Sequence, residues 1–133
     1  MVYNKYRLFW KRVQRLNIID ITPEEIQNMD PEELTKALMT HLETVIDPEI
    51  GIDLVNLGLV YDVEITPEGF AKVTITLTSM GCPMADQIVQ DLELTMKEIK
   101  MVKEVEVEIV WYPSWSPERM SRYARIALGM KFQ

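Results

Sequence analysis

Between residues 59 and 77 the chain alternates apolar and polar positions with a period of two. Leu59, Tyr61, Val63 and Ile65 alternate with Val60, Asp62 and Glu64; Thr66-Pro67-Glu68-Gly69 supplies turn residues; Ala71, Val73, Ile75 and Leu77 then alternate with Lys72, Thr74 and Thr76. Two strands joined by a tight turn follow, each turning one face to the core. Around this hairpin the period changes to that of a helix. Thr22-Pro23-Glu24-Glu25 carries an N-cap residue, a proline at the first helical position and Glu at the third, so a short helix begins there. Asp30-Pro31-Glu32-Glu33 repeats the signal ahead of Leu34, Ala37, Leu38, Leu42, Val45 and Ile46, whose spacing predicts a helix to about residue 46. Ala85, Ile88, Val89, Leu92, Met96 and Ile99 form a second stripe, opened by Pro83.

A third strand is expected where Val105, Val107, Ile109 and Trp111 alternate with Glu104, Glu106 and Glu108. A strand, helix, strand unit crosses over right-handed, so this strand should run parallel to one already present. Ser116-Pro117-Glu118-Arg119 predicts a last helix with Met120, Tyr123, Ala124, Ala127 and Leu128 on one face and Gly129 as its stop. The fold class is therefore α+β: a small mixed three-stranded sheet, an antiparallel hairpin plus a strand joined by a helical crossover, packed by helices as a two-layer sandwich.

The chain has 133 residues, 47% of them apolar and 26% charged, which suits one core. No apolar run approaches the roughly 20 residues that cross a bilayer, and Met1-Val2-Tyr3-Asn4-Lys5 has no signal-like apolar region. No membrane span and a cytoplasmic location are expected. Charge is uneven. Lys5, Arg7, Lys11, Arg12 and Arg15 make residues 1–15 a basic arm with no acid, so the net charge of -7 leaves an acidic body behind it. An acidic body argues against nucleic acid, whose phosphates need clustered Lys and Arg. The arm interleaves Tyr6, Leu8, Phe9, Trp10, Val13 and Leu16 with its cations in a loosely helical pattern that would fold against its own domain or another subunit, or dock on a partner or an anionic surface.

Candidate chemistry centres on Cys82, the only cysteine, in Thr78-Ser79-Met80-Gly81-Cys82-Pro83 where strand pattern gives way to helix pattern. A thiol at a helix N-terminus meets unpaired N–H groups and partial positive charge, which favour thiolate, although a lone cysteine also serves as a small buried hydrophobe. One cysteine and one histidine, His41, cannot build a four-ligand zinc site. His41 borders an apolar stripe and reads as a partly buried residue satisfied by a neighbour. Three loops should gather at one end of the sheet: the acidic loop Asp47 to Asp53, the Thr78 to Pro83 loop, and Tyr112 to Ser116. Trp111 and Trp115 would wall the cysteine from solvent. Asp47 and Asp53 read as turn-formers bonded to their own backbone, or as groups that bind a hard cation or receive protons.

Enzyme constellations are incomplete, so no enzyme is expected. A phosphatase needs an arginine just beyond the cysteine, and Met84 to Val89 contains none. A thiol peroxidase pairs its cysteine with a threonine and an arginine; Thr78 is present, but Arg119, Arg122 or Arg125 would have to fold back. A papain-like dyad needs a histidine in these loops.

Asp47-Pro48-Glu49-Ile50, the stretch from Val55 to Val63, the Thr78 to Pro83 run and the trailing Trp115-Ser116-Pro117-Glu118-Arg119-Met120 together resemble the metal-sulfur cluster biosynthesis family that includes SufT-like and PaaD-like proteins. The similarity spans about residues 33 to 129. It implies residues 1–30 as an N-terminal extension, basic arm plus short helix, and residues 31–133 as an iron-sulfur cluster assembly-like α+β domain. It also implies an accessory role in assembling or delivering iron-sulfur clusters, with Cys82, Thr78, Gly81, Asp47 and Glu49 meeting the cluster or client and Cys82 as the metal ligand. A stable cluster takes about four cysteines, so one per chain implies a transient cluster shared between two subunits or with a client apoprotein. The partners implied are the iron-sulfur assembly machinery, client apoproteins and a second copy of the chain. Two other readings stand beside this one. The first is a thiol-based redox enzyme or sensor using Cys82. The second is a non-metal adaptor, serving a ring-oxidising pathway, that recognises partners through the basic arm and tryptophans.

Overall fold

A computed structural model describes residues 17–78 and 83–129. The basic arm, Gly81 and Cys82 lie outside the described residues. The chain enters through a single 3-10 turn, Ile18–Asp20, followed by α1 (Pro23–Asn28) and α2 (Pro31–Leu42). Strands β1 (Val60–Ile65) and β2 (Phe70–Ile75) come next, then α3 (Ala85–Lys97), β3 (Glu104–Ile109), a 3-10 turn at Pro117–Arg119 and α4 (Arg122–Ala127). The expected α+β order is borne out. β2 is central, paired antiparallel with β1 and parallel with β3.

Helices α2 and α3 pack on one face of the sheet. Leu38 and Leu42 from α2, Leu92 and Met96 from α3, and Ala71 and Val73 from β2 have no exposed surface, each large side chain contributing on the order of 1.5–3 kcal/mol by leaving water. The alternation in β2 holds throughout, with Ala71, Val73, Ile75 and Leu77 all buried. Ile18, Ile21 and Ile26 join the same core, so residues 18–26 are packed onto the domain. The opposite face is open among the described residues. The register sets Glu64, Lys72 and Glu106 in one row, and Asp62, Thr74 and Glu108 in the next. Charged side chains on the edge strand β3 also guard it against pairing with another chain.

Five expectations are corrected in detail. In β1 a bulge between Val60 and Asp62 turns Val60 inward and leaves Tyr61 half-buried, because an inserted residue breaks the two-residue period. Helix α2 stops at Leu42 rather than near 46: the Val45 carbonyl accepts from Leu54 N–H, and Ile46 forms a bridge with Asp53. Pro83 precedes α3 instead of opening it, since Met84 is the N-cap. Trp111 lies beyond the end of β3 and is 42% exposed. The C-terminal helix is split, for Met120 is extended and Ser121, not Ser116, caps α4 by accepting from Ala124 N–H. Tyr123, Ala127 and Leu128 consequently face solvent, while Met120 and Ala124 are buried. Gly129 does end that helix, its N–H bonded to the Ile126 carbonyl.

Candidate functional site

The acidic loop is shaped by its own aspartates. Asp47 Oδ1 accepts from the N–H groups of Glu49 (2.9 Å) and Ile50 (3.3 Å), and the Asp47 backbone carbonyl accepts from Gly51 N–H at 2.8 Å. These bonds close a compact turn that leaves the Glu49 side chain exposed. Asp53 is buried, and its carboxylate accepts from both the backbone N–H and the side-chain amide of Asn56, at 2.9 and 2.8 Å. Both aspartates make the turn-forming backbone bonds expected of them.

From this loop the chain passes directly to the end of the sheet. Leu59 N–H donates to the Leu54 carbonyl at 3.0 Å, and the Leu59 carbonyl accepts from Thr76 N–H at 2.9 Å. Two residues further on, Thr78 is exposed at the start of the segment that leads to Cys82. On the other side of β2, Val110 N–H donates to the Ile75 carbonyl at 2.8 Å. The segments carrying Asp47 and Glu49, Thr78, and Trp115 are thus chained together at the C-terminal end of β2.

The Tyr112 to Ser116 loop is clamped from below. The Trp115 indole N–H donates to the Leu57 carbonyl at 2.8 Å, and the Tyr61 hydroxyl donates to the Pro113 carbonyl at 2.6 Å. The Arg119 guanidinium lies 4.6 Å from the centre of the Tyr61 ring, a cation–π contact. Gly58 has a φ of 77°, and a Cβ there would come within 2.4 Å of the Arg119 carbonyl oxygen. A side chain at residue 58 would push the two loops apart. Trp115 is therefore partly buried against the core, whereas Trp111 is exposed.

His41 stands apart from this end of the molecule. Its Nε2 lies 2.9 Å from the Thr95 carbonyl and 3.5 Å from a Glu98 carboxylate oxygen, which fixes it between α2 and α3 as a partly buried, satisfied histidine. Arg119 is held over Tyr61, and Arg125 donates to the Glu118 carbonyl at 2.7 Å. The Glu118 carboxyl is lowered from its ordinary value, chiefly by a backbone hydrogen bond to its own N–H and then by the Ser116 hydroxyl. Among the described residues no three His, Cys, Asp or Glu side chains converge as metal ligands, and no helix is long and apolar enough to cross a membrane.

Sequence reasoning overlooked Asn56, Ser121 and Tyr61 as the residues that position these loops. Asn56 and Tyr61 lie inside the motif stretch Val55 to Val63, so the signal was present. Their partners, 52 to 65 residues away, were not visible in it.

The α+β scaffold thus brings an acidic turn, Thr78 and a tryptophan loop towards one end of the sheet. The chain belongs to the iron-sulfur cluster assembly protein family, matching it over residues 35–109. It is 51% identical over 100 residues to the Fe-S protein maturation auxiliary factor YitW of Bacillus subtilis (strain 168), an alignment covering 75% of this chain and 98% of that one. To the Fe-S protein maturation auxiliary factor SufT of Staphylococcus aureus (strain USA300) it is 56% identical over 86 residues, covering 65% of this chain and 98% of the relative. A crystal structure of a domain of unknown function, DUF59, from Bacillus anthracis superposes with a TM-score of 0.69 at 52% identity, covering 75% of this chain and 95% of that one. The resemblance read from the sequence is borne out.

Proposed function

We propose that this chain is an accessory factor in iron-sulfur cluster assembly or delivery, working in the cytoplasm without turnover of its own, with Cys82 as a transient ligand to the cluster or to a client. The observation that carries the reading is the family match itself, because residues 35–109 include Asp47, Glu49, Thr78, Gly81 and Cys82 together. The names of the relatives support it, since both are maturation auxiliary factors. So does the run of backbone hydrogen bonds from Leu54 through Leu59 to Thr76, two residues before Thr78, with Trp115 bonded to Leu57 beside it.

In this reading the cluster is cargo. One cysteine per chain supplies one thiolate, whereas a stable cluster takes about four, so a second copy or a client apoprotein completes the coordination. Release then follows from the shortage of ligands. Asp47 sets the turn that presents the exposed Glu49, and Thr78 opens the segment that carries Cys82. Trp115 holds the adjoining loop in place, and Trp111 offers apolar surface at the rim. Residues 31–133 carry this function and residues 1–30 are an extension, part of which packs its isoleucines into the common core.

The test is maturation in cells lacking the chain, read as the activity of their iron-sulfur enzymes. Restoration by the wild-type gene and failure of Cys82→Ser, with the variant still folded, is the expected result. Full restoration by Cys82→Ser would overturn the assignment of the cysteine. No loss of iron-sulfur activity on deletion would overturn the function.

A further inference from the structure

The two edges of the sheet are not alike. In β1 the bulge between Val60 and Asp62 interrupts the ladder, and the inward residues Val60, Val63 and Ile65 are all buried. β3 instead keeps an unbroken register against β2, from Glu104 opposite Phe70 to Ile109 opposite Ile75. Its inward row is only partly covered. Val105, Val107 and Ile109 are half-buried beside α3, and Trp111, two residues on, is 42% exposed. These side chains still have apolar surface to lose to a further strand.

The backbone of this edge is open as well. Val110 N–H donates to the Ile75 carbonyl at 2.8 Å, and Glu104 N–H to the Gly69 carbonyl at 3.3 Å. Alternate residues of a strand turn their N–H and C=O groups to opposite sides, so Glu106 and Glu108 also bond β2 while Val105, Val107 and Ile109 point theirs away from the sheet. β3 is the last strand, and among the described residues none pairs with that side. Such an edge is a template for adding an extended chain.

Charge decides which chain. On the open face β3 presents Glu104, Glu106 and Glu108, all exposed, and among the described residues only Glu108 has an ion pair, with Lys72 at 3.0 Å. A second copy pairing antiparallel through β3, open faces aligned, would set glutamate against glutamate, which is destabilising. The glutamates that guard the edge against its own kind favour a strand with cations at alternate positions. The positions between those cations would then meet Val105, Val107 and Ile109.

We propose that β3 accepts, as a fourth strand, an extended segment of another protein in which lysine or arginine alternates with β-branched or aromatic residues. The cations face Glu104 and Glu106, and the apolar residues extend the row of Val105, Val107 and Ile109. Binding of this kind involves neither Cys82 nor the acidic turn, so it stands or falls separately from the cluster-handling role.

The test uses the full chain and a blocked heptapeptide alternating lysine and valine, with amide hydrogen exchange read residue by residue. In the free chain the amides of Val105, Val107 and Ile109 should exchange much faster than those of Glu106 and Glu108, which β2 protects. The peptide should slow the first set several-fold and leave the second unchanged, whereas a peptide with the same lysines and valines in separate blocks should do neither. Glu104→Lys with Glu106→Lys, which keeps the pair of Lys72 and Glu108, should reverse the preference, weakening the lysine-valine peptide by about tenfold and admitting a glutamate-valine one. Amides of Val105, Val107 and Ile109 already protected in the free chain would overturn the proposal, because the edge would then be occupied. So would protection that is absent, that falls on other amides, that the block peptide reproduces, or that the charge reversal leaves unchanged.

Discussion

Ser121 donates two hydrogen bonds to Asn56 across 65 residues of sequence, from its hydroxyl to Oδ1 at 2.6 Å and from its N–H to the backbone carbonyl at 2.8 Å. Asn56 in turn donates to the buried carboxylate of Asp53, and Ser121 caps α4. A single polar chain therefore links the acidic turn to the C-terminal segment. Replacing Asn56 with Ala removes one donor to a buried carboxylate and is expected to cost about 2 kcal/mol. Ser121→Ala, which loses a cap and one side-chain bond, should cost about 1 kcal/mol. Urea denaturation measures both. Losses within about 0.5 kcal/mol, the range of ordinary surface changes, would show that the link carries no stability.

Gly58 is where the two loops touch. Gly58→Ala meets both a left-handed backbone and the Arg119 carbonyl, so it should destabilise by about 2 kcal/mol or more. Gly51→Ala provides the comparison, since residue 51 shares the positive φ but has nothing within 4 Å of a Cβ; backbone strain alone should cost it about 1 kcal/mol. Hydrogen exchange should separate the two. Amides from 116 to 121 exchange faster in the residue 58 variant and keep wild-type rates in the residue 51 variant.

What could be read from the residues follows from how local each signal is. The alternation in β2 was legible because one face of a central strand is wholly buried, and the short helix after Thr22 because its cap lies within one turn, Thr22 Oγ1 accepting from Glu25 N–H at 3.2 Å. The same spacing at Asp30 gave a helix without a side-chain cap bond, since α2 is held by packing instead. Tyr61 and the end of α2 escaped because a bulge and the Ile46 to Asp53 bridge depend on partners elsewhere in the chain. The split at Met120 escaped for the same reason, as the bond from Ser121 N–H to Asn56 competes with continuation of the helix. At the site, the turn roles of Asp47 and Asp53 were local and legible, while the clamp of Trp115 on Leu57 spans 58 residues.

Lys72 makes stability respond to alkaline pH. Its pKa is raised above the ordinary 10.5, first by the hydrogen bond to Glu108 and then by that carboxylate's charge, with Glu106 and Glu64 adding to it. A raised folded value means the stabilising contribution is fully present below pH 10.5 and is lost as pH rises through the folded pKa. Thermal melts of wild type and Lys72→Met should differ at neutral pH and converge in strong alkali. A difference that stays constant across this range would contradict the assignment.

Asp47 and Glu49 divide structure from presentation. Asp47→Ala removes the acceptor for two backbone N–H groups and should cost about 1 kcal/mol. Glu49→Gln, at an exposed position, should leave stability unchanged within about 0.5 kcal/mol while weakening iron-sulfur enzyme maturation in cells. Maturation at wild-type levels with Glu49→Gln would remove that carboxylate from the site.

In the proposed role Cys82 holds a cluster transiently with ligands borrowed from another chain. The decisive measurement is anaerobic reconstitution of the full chain with iron and sulfide, followed by visible absorbance and oligomeric state. Cluster absorbance is expected in the wild type, carried by a dimer or by a complex with an added client apoprotein, and is lost in a folded Cys82→Ser variant. Absorbance that survives Cys82→Ser, or a wild type that stays colourless with and without a client, would contradict it.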